Sequence, residues 1–252
     1  MNEPVVRLES DLITGPLVSL WGVLLDIADR MPDVWTLIGG QMVLLHGLEH
    51  GRTPPGASQD LDVLADVISH QQSLLLLVDV LKDLGFQPAG ITPEGKVYRY
   101  TRIDADGTLT VDVLAPDKLG NRADLTTSPP GVTLEVPAGR QALHRTTSVS
   151  VQLDGRPGAI RRPSLLGAIV GKAAALGIPT APKAKHYRDL AFLLSLPVNP
   201  LSLRSELSKS DRKKLALAKE LSDPNHRAWR ELRDPDAEAD GQAVYRILTR
   251  PA

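Results

Sequence analysis

Residues 37–64 read LIGGQMVLLHGLEHGRTPPGASQDLDVL, and this stretch decides the fold class. A short apolar strand candidate, residues 34–38, is stopped by Gly39 and Gly40, and residues 41–48 then read as an apolar helix. Gly51, Pro54, Pro55 and Gly56 mark residues 51–57 as a loop, after which Asp60-Leu61-Asp62 opens a second apolar strand over 61–64. Side chains at i and i+2 of a strand share a face, with Cα atoms roughly 6.5–7 Å apart. Two hard oxygen ligands therefore stand side by side, with a glycine turn and a helix N-terminus close in sequence. That arrangement suits Mg²⁺ with a triphosphate. Taken singly, Asp-x-Asp is also common as solvated turn chemistry, and Gly-Gly as a tight turn.

A third carboxylate strengthens the pattern. Residues 96–103 and 109–114 read as antiparallel strands joined by a turn at Asp104-Ala105-Asp106-Gly107. The returning strand carries Asp112 between Val111 and Val113. An unpaired carboxylate buried there is costly, and a metal ion is one partner that would offset the cost. A solvent-facing position on an edge strand is the alternative. Three carboxylates on neighbouring strands could cage two Mg²⁺ ions for an in-line attack on an α-phosphate. Ser58 could bond a phosphate or orient a carboxylate, or be a plain turn residue. Arg52 could reach phosphate or solvate its loop.

Further out, residues 15–31 carry apolar side chains at helical spacing, ended by Pro32. A helix is expected over 69–84 with Gly85 as its stop, an irregular or short-stranded region over 117–140, and a strand over 149–153. After Pro163 the chain reads as helices at 164–176, 183–196, 208–221 and 239–249. Ser164 and Ser208 are N-cap candidates, and Pro179, Pro182, Pro197 and Pro200 punctuate the connections.

Bulk properties narrow the class. At 252 residues the chain can hold one large domain or two small ones, and 42% hydrophobic with 23% charged residues argues against wholesale disorder. There is no cysteine, which excludes disulfides and thiolate metal sites. MNEPVVRLESDL lacks a basic segment followed by an apolar core, and no apolar run is long enough to span a bilayer. The expectation is a cytoplasmic protein without membrane contact. The net charge of −1 hides a polarity: residues 1–154 hold 11 Lys and Arg against 20 Asp and Glu, whereas residues 155–252 hold 18 against 10. An acidic front half and a basic rear half suit a metal site together with a polyanion-binding surface. Helices with Lys and Arg on their solvated faces would give the same count.

Together these residues resemble the nucleotidyltransferase superfamily with the DNA polymerase β-type fold, in the branch of the AbiEii-type toxins of type IV toxin–antitoxin systems. That branch shows Gly-Gly, an apolar helix, an Arg, then Ser/Thr-x-Asp-x-Asp. Here these are Gly39-Gly40, residues 41–51, Arg52, and Ser58-Gln59-Asp60-Leu61-Asp62, with Asp112 matching the third carboxylate. A helix with a Lys follows in the family, then a basic segment running into Arg/Lys-Asp-Leu. This chain has Lys172 in LLGAIVGKAAAL and Lys183-Ala184-Lys185-His186-Tyr187-Arg188-Asp189-Leu190. Thr53–Ala57 is an extra segment, and Gln41 stands where a small residue is common.

The resemblance implies an α+β fold: a mixed-sheet nucleotidyltransferase domain over residues 1–160 and a helical C-terminal domain over 161–252. It implies an NTP-dependent enzyme with two Mg²⁺ held by Asp60, Asp62 and Asp112. Gly39, Gly40, Ser58 and Lys172 would bind the triphosphate, and Asp189 would complete the site. Lys172 could otherwise be a snorkelling surface residue, and Asp189 could pair with Arg188 or Lys185. The implied partner is RNA, a tRNA 3′ end above all, with a cognate antitoxin protein restraining growth arrest. Aromatic content of 4% leaves little for a base-stacking platform. Three alternatives stand beside it: the same chemistry on a small molecule such as an antibiotic, the same chemistry on a protein, or a catalytically silent module with this fold.

Overall fold

The computed structural model describes residues 5–8, 13, 15–56, 58–120 and 123–250. Ala57, the last residue of the expected loop, and residues 121 and 122 of the expected irregular region lie outside them. Contacts group the chain into two compact units: Met1–Met42 with Ser58–Ser164, and Val43–Ala57 with Leu165–Ala252. In this grouping residues 43–56 go with the later helices.

In the first unit β1 (Val6–Leu8) and α1 (Pro16–Arg30) precede β2 (Trp35–Ile38). The helix α2 (Gly39–Glu49) starts at the glycine pair itself, so Gly39 and Gly40 are its first residues and not a separate turn. Next come β3 (Asp60–Ala65), α3 (Ser73–Asp83), β4 (Gln87–Pro88), β5 (Arg99–Asp104) and β6 (Gly107–Pro116). The expected helix over 69–84 begins only at Ser73. The Asp66 carboxylate accepts from the Ile68 and Ser69 amides and holds that segment in a turn. The 117–140 region forms β7 (Thr126–Ser128), β8 (Gly131–Val132) and β9 (Leu134–Val136), followed by α4 (Gly139–His144). A hairpin of β10 (Thr146–Leu153) and β11 (Arg156–Pro163) closes the unit. The strand β11 was not expected from the sequence.

The main sheet runs β2-β3-β6-β5-β4, with β9 also paired to β6. β3 and β6 are parallel, and the other pairs on that path are antiparallel. One face carries Leu37, Leu61, Val63, Val111, Val113 and Tyr100, all buried, with α1 and α3 packed on it. That alternation of apolar with polar residues is what fixes the register, since a one-residue slip would turn the carboxylates into this core. On the other face α4 covers the C-terminal part of the strands, where Ala142 packs with Leu64 and Leu114. Asp60, Asp62 and Asp112 occupy the face on which α4 lies, at the N-terminal side of that cover.

The second unit is helical: α5 (Leu165–Ala175), α6 (Lys183–Leu194), α7 (Pro200–Ser205), α8 (Lys209–Leu215), a 3₁₀ turn over Ala216–Ser222, α9 (Arg227–Arg230) and α10 (Pro235–Thr249). Ser208 caps α8 in a reciprocal arrangement with Asp211, as its sequence position suggested. The helix expected over 208–221 instead ends at Leu215 and continues as the 3₁₀ turn, with non-helical backbone at Ala218 inside it. The helix α6 packs against α5, α9 and α10. Among the described residues no helix is long and apolar enough to cross a membrane.

Candidate active site

Register builds the site. Ile38 pairs with Asp62, Asp62 with Asp112, and Asp112 with Arg99, so these four positions form one row across β2, β3, β6 and β5. Asp60 lies two residues back on the same face. Ligand oxygens of Asp60, Asp62 and Asp112 all lie within 4.8 Å of one another. Asp112 is only 6% exposed, and β6 is an interior strand, which removes the edge-strand reading for this residue. Like charges directly opposite on parallel strands destabilise a sheet, so the pairing of Asp62 with Asp112 calls for a cation.

Two glycines open the space next to this row. Gly39 has φ of 72°, and a Cβ there would overlap the Asp62 carboxylate. A Cβ at Gly40 would meet the Ser58 side chain. The first turn of α2 therefore lies against the carboxylates in a cradle that any larger residue would fill. The Ser58 hydroxyl donates to the Asp60 carboxylate. Gln41 is buried. Its Nε2 donates to the Ser58 carbonyl at 2.6 Å, and its Oε1 accepts from Trp21 Nε1 at 3.0 Å. It thereby fixes the segment that delivers Asp60.

Arg99 was missed by the sequence reading. Its Nε donates to Asp112 Oδ1 and its Nη2 to Oδ2, both at 2.8 Å, and Nη2 stands 3.9 Å from Asp60. The bond to Asp112 holds the Arg99 guanidinium still further above its ordinary pKa, against the opposing effect of partial burial. The signal was present: Asp104 pairs with Gly107 across a two-residue turn, and five steps back along each strand land on Arg99 and Asp112.

The donor set fits a hard divalent ion. It offers three clustered carboxylates and has room beside them that glycine alone leaves open.

The other expected site residues belong to the second unit. Lys172 and Asp189 are buried there and pair with each other, Nζ to Oδ2 at 2.8 Å. The snorkelling reading of Lys172 is thus replaced, and Asp189 has Lys172 as a partner. His186, one turn before Asp189, is held down to about pKa 4 by burial first and then by the Lys172 charge. Arg52 donates to the Ser195 carbonyl at 2.8 Å and lies 3.7 Å from Asp234, so its guanidinium anchors the loop within the helical unit.

No family model matches the chain, and no curated protein matches it in sequence. Some solved structures are similar to it. An antigenic nucleotidyltransferase-like protein from Paracoccidioides brasiliensis is 16% identical with a TM-score of 0.54, over 90% of this chain and 94% of that one. ANT(2")-Ia in complex with adenylyl-2"-tobramycin is 17% identical with a TM-score of 0.38, over 81% and 95%. A STING-associated CdnE c-di-GMP synthase from Capnocytophaga granulosa is 10% identical with a TM-score of 0.26, over 91% and 77%. The chain has the α+β fold of the nucleotidyltransferase-like protein from Paracoccidioides brasiliensis.

Proposed function

We propose that the chain is a metal-dependent nucleotidyltransferase that moves a nucleoside monophosphate from an NTP to an RNA hydroxyl. The acceptor in this reading is a tRNA 3′ end, and the outcome is growth arrest restrained by an antitoxin protein. The observation that carries the reading is the row of Asp60, Asp62 and Asp112, with ligand oxygens within 4.8 Å beside a glycine cradle. Asp60 and Asp62 would hold two Mg²⁺ ions, and Asp112 would complete the cage on the side of the attacking hydroxyl. When bound, the ions would supply Lewis-acid stabilisation of charge on the attacking and leaving oxygens.

The chain's own groups do the rest. Ser58 orients Asp60, and Gln41 holds Ser58 in place. Gly39 and Gly40 let a phosphate chain approach the start of α2, whose first amides have no partner within the helix and would donate to it. Asp112 would draw the proton from the acceptor hydroxyl as its oxygen attacks the α-phosphorus and pyrophosphate leaves.

RNA is favoured as the acceptor by the basic rear half, where Lys183, Lys209, Lys213 and Lys219 are exposed. The toxin role rests on the resemblance of the motifs. The test offers the purified chain Mg²⁺, each α-labelled NTP, and one of three acceptors: total tRNA, an aminoglycoside or a mixed protein extract. Label on tRNA that falls steeply with salt supports the reading. Label on either of the other acceptors rejects RNA, and no label with any NTP rejects nucleotidyl transfer.

A further inference from the structure

Arg99 commits both of its inner donors to one carboxylate. The fork of a guanidinium matches the edge of a carboxylate and keeps its charge at every working pH. It therefore acts as a fixed positive charge standing in the acidic row, 2.8 Å from both oxygens of Asp112 and 3.9 Å from Asp60. Three ionised carboxylates carry a formal charge of −3, and one guanidinium reduces it to −2. That remainder matches one divalent ion, and withdrawing Arg99 restores one further negative charge toward a second. Geometry agrees with the charge count: the oxygens of Asp112 already accept from Arg99, whereas the Asp60 and Asp62 pair lies on the neighbouring strand. The Arg99 side chain is 45% exposed, so withdrawing it disturbs no core packing. In the Asp112-bound arrangement its guanidinium carbon lies 5.8 Å from the centroid of the Tyr98 ring.

On the strength of the transferase reading above, we propose that Arg99 competes with metal at Asp112. One divalent ion enters at Asp60 and Asp62 alone, and a second enters only when the guanidinium leaves Asp112. A released guanidinium is a bidentate donor for phosphate. Arrival of a triphosphate would then draw Arg99 off the carboxylate and admit the second ion, so that the full site assembles only with the nucleotide present.

The test counts Mn²⁺, a carboxylate-seeking ion visible by EPR, on the full chain without nucleotide. Wild type, Arg99→Met and Arg99→Gln are titrated, with circular dichroism to check folding. Wild type should bind one ion tightly. The second should bind at least about tenfold more tightly in the variants than in wild type, the factor expected for one charge-assisted pair. Should both variants unfold, the wild type alone still decides. Two equally tight ions on wild type, or the same isotherm for wild type and variants, would overturn the competition and leave the transferase reading standing. No Mn²⁺ on any folded chain would overturn both.

Discussion

Gly39 concentrates the local physics of the site. It needs a left-handed φ and space against Asp62 at once. Gly39→Ala should lose about 1–3 kcal/mol of stability through backbone strain and overlap, and should weaken Mn²⁺ binding besides. Gly51→Ala is the matched control, since Gly51 has φ of 65° with open space where the Cβ would go. It should show strain in the melting curve with no change in metal binding. His186 gives a second expectation. Its folded pKa of about 4 lies below the ordinary 6.5, so between those values the unfolded chain holds a proton that the folded chain does not. Its contribution to stability is therefore fully present above about pH 6.5 and falls away as the pH drops toward 4. Denaturant unfolding from pH 4 to 7 should show a shallower acid loss for His186→Gln than for wild type, and equal slopes would contradict this.

Among the elements, α5 and α6 are joined by a buried ion pair whose side chains are 6% and 4% exposed. Lys172→Met strands the Asp189 carboxylate and should cost about 3–5 kcal/mol in denaturant unfolding, whereas Lys172→Met with Asp189→Leu should recover much of that. Equal losses for the two variants would show that packing, and not charge, sets the effect. The same scale shows what was legible in advance. The Asp60-Leu61-Asp62 row and the Asp112 strand follow from period-two alternation, a local property of the chain. Ser208 was readable as a cap for the same reason. The β10–β11 hairpin was readable but missed: Asp154 and Gly155 both have positive φ, the signature of an Asp-Gly turn. Other features could not be read. β1 pairs in parallel with β10, far along the chain, and no local pattern encodes such a partner. The helices α7 and α9 have 6 and 4 residues, too few for a helical period to register. Arg99 became visible only through hairpin register, because an Arg in a strand reads as a solvated side chain until its opposite residue is known.

For the whole molecule, the sequence divides its charge, with 18 Lys and Arg against 10 Asp and Glu in residues 155–252. If RNA is the partner, log affinity for tRNA should fall linearly with log salt, and Lys183→Ala and Lys213→Ala should each flatten that slope by about 1, measured by fluorescence anisotropy. A slope unchanged by both would place the contact elsewhere or remove RNA as partner. The proposed chemistry is nucleotidyl transfer at the carboxylate row. The most direct test is the rate at which α-label moves from NTP to acceptor in wild type and in Asp62→Asn, which keeps shape and removes charge. Wild type should transfer the label and the variant should lose at least about 10³-fold, with both folded to the same melting temperature within a few degrees. Transfer by Asp62→Asn at the wild-type rate would contradict the proposed chemistry.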